Sequence, residues 1–102
     1  MARSTKLPTL SRTETLILEL LRSEEMYGLQ LVTASKGKLK RGSVYVLLGR
    51  MEEKGYVTSH AEEKPEHSGL PRRTYRATGL GRRVLDAWSL AAAHLALGGR
   101  HA

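Results

Sequence analysis

In the stretch KLKRGSVYVLLGRMEEKGYV (residues 38–57), Lys38, Lys40 and Arg41 stand just ahead of a segment with helical periodicity. A helix N-terminus carries partial positive charge and ordinarily takes a Ser, Thr, Asp or Asn oxygen as its cap. Cations at that point repel the helix dipole, so their chemistry calls for an anion outside the chain. No Asp or Glu occurs between Glu25 and Glu52, where Lys36, Lys38, Lys40, Arg41 and Arg50 lie. A second acid-free stretch, between Glu66 and Asp86, holds Arg72, Arg73, Arg76, Arg82 and Arg83. The bland alternative is a solvated, Arg-rich surface. Two separate basic blocks in a chain of formal charge +7 instead form a footprint for a polyanion, nucleic acid foremost.

Catalytic chemistry finds no comparable support. His60, His67, His94 and His101 lack metal-ligand spacing, and there is no cysteine to join them. Glu62, Glu63 and Glu66 read as a solvated loop rather than a general-acid pair. Neither a nucleophile motif nor a phosphate-cradling glycine loop occurs. No enzyme activity, cofactor or metal is expected.

The elements that must carry the basic blocks follow from spacing. Residues 1–10 form a polar basic arm with Arg3, Lys6 and Pro8. Ser11-Arg12-Thr13-Glu14 has capping-box spacing, and Leu16, Ile17, Leu20 and Leu21 then recur at helical intervals. A first helix is expected over Arg12 to Ser23. A short second one is expected over Tyr27 to Ser35, with Leu29, Val32 and Leu31 inward, ended by Lys36-Gly37-Lys38. The third is expected over Arg41 to Lys54, with Gly55 at the left-handed C-terminal position. Val44, Leu47, Leu48 and Met51 make its buried stripe, leaving Gly42, Ser43, Val46, Gly49, Arg50 and Glu53 outside. Strands over Tyr56 to Ala61 and Arg72 to Ala77 flank a polar tip, Glu62 to Leu70. Thr78 caps a last helix over Gly79 to Leu97, whose stripe is Leu80, Val84, Trp88, Ala91 and Leu95, widened by Leu85, Ala92 and Ala96.

Three helices, a β-hairpin and a further helix give a mainly α chain with a small wing: a winged helix-turn-helix over 11–78, a C-terminal helix over 79–98 and a short tail. Such a last helix is about 28 Å long at 1.5 Å per residue, more apolar length than a 102-residue chain covers by itself, so a partner chain is expected. The second helix of a helix-turn-helix puts its N-terminal residues at base edges in the major groove. Lys38, Lys40 and Arg41 then stand at phosphate or guanine, Ser43 and Val46 at base edges, Tyr45 and Arg50 at the backbone, and Arg72 and Arg73 at phosphates beside the wing. A duplex with roughly palindromic half-sites is the expected partner, and RNA or protein the rival. Four tyrosines and one tryptophan are few for the stacking platforms of single-strand readers. With no cysteine, no signal-peptide core and no apolar run near 20 residues, a cytoplasmic chain without membrane contact is expected.

Met26-Tyr27-Gly28, Gly42-Ser43-Val44-Tyr45 with Leu47-Leu48, and Met51-Glu52-Glu53-Lys54-Gly55 occur in that order, followed by Ser68-Gly69-Leu70-Pro71-Arg72-Arg73-Thr74-Tyr75-Arg76 and Thr78-x-x-Gly81. The ordered set resembles the PadR family of bacterial transcription regulators over about residues 12–90. The resemblance implies a winged-helix homodimer, usually a repressor, joined mainly through the last helix, here Leu80, Val84, Leu85, Trp88, Ala91, Ala92 and Leu95. It also implies the short form of the family, some of whose members bind aromatic compounds between subunits, where Trp88 could line the pocket. A tryptophan of the dimer core is the reading its alanine-rich surroundings favour. Lys40, where the family usually has a cap-type residue, and Val46, where it often has Pro, are departures that bear on the operator rather than the fold.

Overall fold

The computed structural model describes residues 9–62 and 72–100, with side chains through Leu95. The arm through residue 8, the wing tip over 63–71 and residues 101–102 lie outside the described residues. Helix α1 (Arg12–Leu20) opens with the expected capping box: Ser11 Oγ accepts from the Glu14 N–H, and the Glu14 carboxylate accepts from the Ser11 N–H. It ends three residues earlier than the periodicity predicts, because Leu21 is already the C-cap. A two-residue strand, β1 (Met26–Tyr27), follows, too short to show a period in the sequence. Helix α2 (Gly28–Ala34) leads through a loop to α3 (Val44–Glu53), then strands β2 (Val57–Ala61) and β3 (Arg73–Ala77), and α4 (Gly79–Arg100). The three strands form one antiparallel sheet in the order β1-β3-β2. This is a winged helix-turn-helix carrying one further helix.

One core serves all the elements. Ile17, Leu18 and Leu21 from α1, Leu31 from α2, and Val44, Leu48 and Met51 from α3 meet Val57, Tyr75 and Ala77 from the sheet and Val84 and Leu85 from α4. Each large side chain fully buried there contributes about 1.5–3 kcal/mol. Two expectations change. Leu29, expected inward, points outward, while Leu31 fills the core as expected. Val84 and Leu85, expected at a partner interface, are instead buried against this chain's own α1 and sheet. The α4 stripe is therefore divided: Val84 and Leu85 close the monomer core, while Leu80 ahead of them and most of the part beyond Trp88 remain uncovered.

The loop between α2 and α3 is held by a residue that periodicity could not flag. Lys36 and Gly37 both take positive φ, 56° and 92°, reversing the chain after α2. Ser35, buried, donates its hydroxyl to the Val32 carbonyl and accepts the Leu39 N–H at 2.9 Å. Leu39 is thereby plugged into the core at 2% exposure, while Lys38 and Lys40 on either side stay exposed.

The other end of α3 is a junction. Tyr56 N–H donates to the Met51 carbonyl and Gly55 N–H to that of Glu52, the paired bonds of a Schellman ending, with Gly55 at φ 82°. Thr78 then closes the wing back onto this turn: its N–H donates to the Tyr56 carbonyl, its hydroxyl donates to the Gly55 carbonyl, and the same hydroxyl accepts the Gly81 N–H. Gly81 lies so close that a Cβ there would fall on the Tyr56 carbonyl. Lys54 ties in α1 as well, its ammonium 2.8 Å from the Glu14 carboxylate. Burial alone would raise the Glu14 pKa, but the Lys54 ammonium and the Ser11 N–H outweigh it and hold the carboxyl below its ordinary value. The hydrogen bond that the Lys54 ammonium donates to Glu14 in turn raises the Lys54 pKa.

Two outcomes follow for stability. Gly81→Ala should cost about 2–3 kcal/mol in thermal or urea unfolding, since backbone rather than a side chain must give way; an unchanged midpoint would contradict the close approach. A depressed carboxylate contributes stability that is present above its ordinary pKa and lost as pH falls through the folded value. Glu14→Gln should therefore cost about 1 kcal/mol near pH 7, and its deficit against the parent should shrink below about pH 4. A deficit that is constant across that range would contradict the ionic contribution.

Candidate nucleic-acid interface

Helix α3 begins at Val44, three residues later than the sequence suggests, because residues 41–43 form a separate turn: the Ser43 and Val44 N–H groups both donate to the Lys40 carbonyl. Lys40 and Arg41 consequently stand one turn ahead of the helix. Its N-cap, Ser43, makes no side-chain capping bond, and no acid occupies the first turn. The contrast with α1 is direct, since there a hydroxyl and a carboxylate both serve the N-terminus. Of the leading N–H groups of α3, those of Tyr45 and Val46 have no acceptor among the described residues, and this end keeps its partial positive charge, with Lys40 and Arg41 beside it. Among the described residues neither cation has an ion-pair partner.

The exposed face of α3 carries Tyr45, Val46, Gly49 and Arg50. Val46 is 58% exposed, an unusual place for a β-branched apolar residue on a helix. At Gly42 and Gly49 an added Cβ would meet nothing within 4 Å, so the chain's own packing does not require these residues to be small. They leave room for a surface from outside. A groove of about 320 Å³ runs along this end, bounded by Thr13 of α1, Lys38 and Lys40 of the loop, and Ser43, Val46 and Arg50 of α3. Five of the nine residues singled out from the sequence thus share one groove, and Arg41 stands beside its rim in sequence.

Tyr45 lies on the other flank of α3. Its ring packs over Gly28, where a Cβ would come within 2.5 Å of it, and it is 48% exposed. There it borders a second cleft, of about 700 Å³, between α2, the start of α3 and the root of the wing. Tyr27, Leu29 and Gln30 line one side, Arg72 and Arg73 the other, and Tyr75 lies behind. Burial raises the Tyr75 phenol above its ordinary pKa. Arg72 sits over the Tyr27 ring at 4.9 Å. Arg73 is more engaged than the sequence suggests: its Nε donates to Ser59 Oγ, which donates to the Glu52 carboxylate. Tyr27 and the α2 residues of this cleft were missed in the sequence because the strand that positions them, β1, is too short to show a period.

The residues expected at a partner interface separate along α4. Val84 and Leu85 are internal, and Trp88 is half-buried, lining a groove of about 640 Å³ with Leu10 and Leu16. Leu80, Ala92 and Leu95 are exposed and Ala91 is partly covered. Leu90, which lies off the periodic stripe, is 73% exposed and Leu95 74%.

Comparison with known proteins gives one family. The model of the transcriptional regulator PadR-like family matches residues 17–87. A search of curated proteins finds no sequence match. Among solved structures, a PadR family transcriptional regulator from Eggerthella lenta is 32% identical, with a TM-score of 0.69 over 87% of this chain and 78% of that one. A PadR family regulator from Clostridium difficile superposes with a TM-score of 0.76 at 23% identity, over 89% of this chain and 97% of that one. Bacillus subtilis PadR, solved in complex with operator DNA, gives 0.70 at 22% identity; the match takes in 79% of this chain and 47% of that longer one. With the winged helix, the motif order and the family match in agreement, the chain belongs to the PadR-like family of transcriptional regulators.

Proposed function

We propose that this regulator is a homodimeric, sequence-specific DNA-binding repressor that reads duplex DNA with α3. The observation that carries the reading is the leading end of α3: no side-chain cap, no acid in the first turn, and Lys40 and Arg41 immediately before it. A phosphate there meets backbone N–H groups, the helix dipole and two cations at once. Ser43 and Val46 would then face base edges, Val46 suiting a thymine methyl. Lys38, Tyr45, Arg50, Arg72 and Arg73 would hold the backbone, which positions the helix without reading sequence. That a related protein was solved with operator DNA supports the same use of the fold. RNA is the weaker partner, because Tyr56 and Tyr75 are buried and Tyr27 is half-buried, leaving Tyr45 alone as an exposed tyrosine.

Dimerisation through α4 is supported by its outer half. Beyond Trp88 the described side chains are exposed, apart from Ala91, and Leu90 and Leu95 are among them. Ala91 and Ala92 allow close helix approach. Two copies joined there would set two α3 helices for half-sites about 34 Å apart, hence a roughly palindromic operator. Transcriptional repression and a cytoplasmic setting complete the reading. A second reading, a sensor of planar aromatic compounds, is favoured by the groove that Trp88 lines.

Arg41→Ala should weaken binding to a selected duplex and reduce the slope of log affinity against log salt by about one unit. Unchanged affinity and slope would remove Arg41 from the interface, and a parent protein without salt-dependent duplex preference would overturn the DNA reading itself. For the sensor reading, a planar aromatic compound should quench the single tryptophan and release the duplex over the same concentrations. Release without any change in Trp88 emission would place the compound elsewhere.

A further inference from the structure

The cleft between α2, α3 and the wing has a built-in alignment between two elements that are far apart in sequence. Strand β1 pairs with β3 so that Tyr27 lies opposite Thr74 and Met26 opposite Tyr75. Residues two apart on a strand share a face, so Arg72 and Thr74 lie on the same side of the sheet as Tyr27. Arg72 is the diagonal neighbour of Tyr27, within reach of long and aromatic side chains. The backbones on both sides are pinned. The Tyr27 N–H is held by the Gln30 side chain at 2.8 Å, and the Arg72 carbonyl accepts the Glu62 N–H at 2.8 Å, extending the β2–β3 ladder. Across this fixed frame the Arg72 guanidinium sits 4.9 Å from the Tyr27 ring centroid.

Arg72 and Arg73 are adjacent but differently employed. Arg73 is drawn toward Ser59 and, through it, Glu52. The Arg72 side chain makes no hydrogen bond or ion pair among the described residues, and its guanidinium rests over the Tyr27 ring. A guanidinium held over an aromatic face is oriented by it yet keeps its N–H fork for a planar oxyanion. It faces the cleft that Tyr45 of α3 also lines. We infer that Tyr27 is a positioning residue for nucleic-acid binding: it holds Arg72 at the root of the wing so that the guanidinium clamps a backbone phosphate lying across the α2–α3–wing cleft. The inference rests on the reading of this chain as a duplex DNA binder, and it makes the start of α2 part of the interface through its aromatic ring.

A double-mutant cycle on the full chain tests it, with affinity for a duplex selected by the protein measured at several salt concentrations. Tyr27→Leu should weaken binding about two- to fivefold and lower the salt slope by about one unit, as Arg72→Ala should. Tyr27→Phe, which keeps the ring, should bind like the parent. In the Arg72→Ala background Tyr27→Leu should have almost no further effect, because two groups acting as one unit are non-additive. Equal losses with and without Arg72, or a loss of affinity at unchanged salt slope, would overturn the positioning role while leaving the DNA reading intact. Absence of salt-dependent duplex binding by the parent would overturn both. Should melting show Tyr27→Leu unfolded, Arg72→Lys replaces it: charge kept without the planar fork should still weaken binding, and full affinity would overturn the inference.

Discussion

The turn that ends α3 is the constraint on which the arrangement of the other elements depends. Within Gly55 and Tyr56 the chain leaves the candidate recognition helix and starts the wing, and at Thr78 to Gly81 it returns to the same point. One hydroxyl, that of Thr78, bonds both sides of the junction. Gly81 permits the approach because any side chain there would strike the Tyr56 carbonyl. Position and direction of α3, wing and α4 are thus coupled over a handful of atoms. Lys54, the C-cap of α3, brings in the N-terminus of α1 through Glu14. A dimer joined along α4 inherits this coupling, so the separation of its two α3 helices would be set by a rigid joint rather than by a flexible linker.

The two helix starts treat the same physical problem in opposite ways. At α1 the orphan N–H groups are served from within the chain by Ser11 and Glu14, and the helix is anchored in the core. At α3 they are left without a side-chain acceptor, with cations beside them. That arrangement costs some stability in the free protein, which the core offsets through Leu39 and Val44 on either side of the cationic turn. Burying Leu39 fixes the loop backbone, and the alternation of its neighbours then presents Lys38 and Lys40 outward. The basic display is therefore a consequence of one apolar anchor.

Much of this was legible in the sequence, and the failures have physical causes. Period 3.6 gave the inward face of α3, and Ser11-x-x-Glu14, Gly55 and Thr78-x-x-Gly81 carried meaning because cap and turn chemistry is local. Strand β1 was missed because two residues show no period and its pairing partner is nearly 50 positions away. Leu39 sat in a run of cations, and only its bond to Ser35 explains its burial. Leu29 and Leu31 were not separable by pattern, since a seven-residue helix offers too few turns to fix its inner face. Val84 and Leu85 fell in the same apolar stripe as Trp88 and Leu95, and periodicity does not distinguish a face covered by the chain itself from one left for a partner. The site was readable as a set of cations at a helix start; its division into a groove beside Ser43 and a cleft beside Tyr45 is a property of tertiary packing.

The most direct measurement is a map of backbone amide shifts as the labelled protein is titrated with a duplex selected from random-sequence DNA. If α3 and its flanking groove and cleft form the nucleic-acid interface, the perturbed amides cluster at residues 38–50, at the start of α2 and at the root of β3, while the outer half of α4 is unaffected. Perturbations confined to α4 and the groove beside Trp88, with the start of α3 unmoved, would contradict that placement.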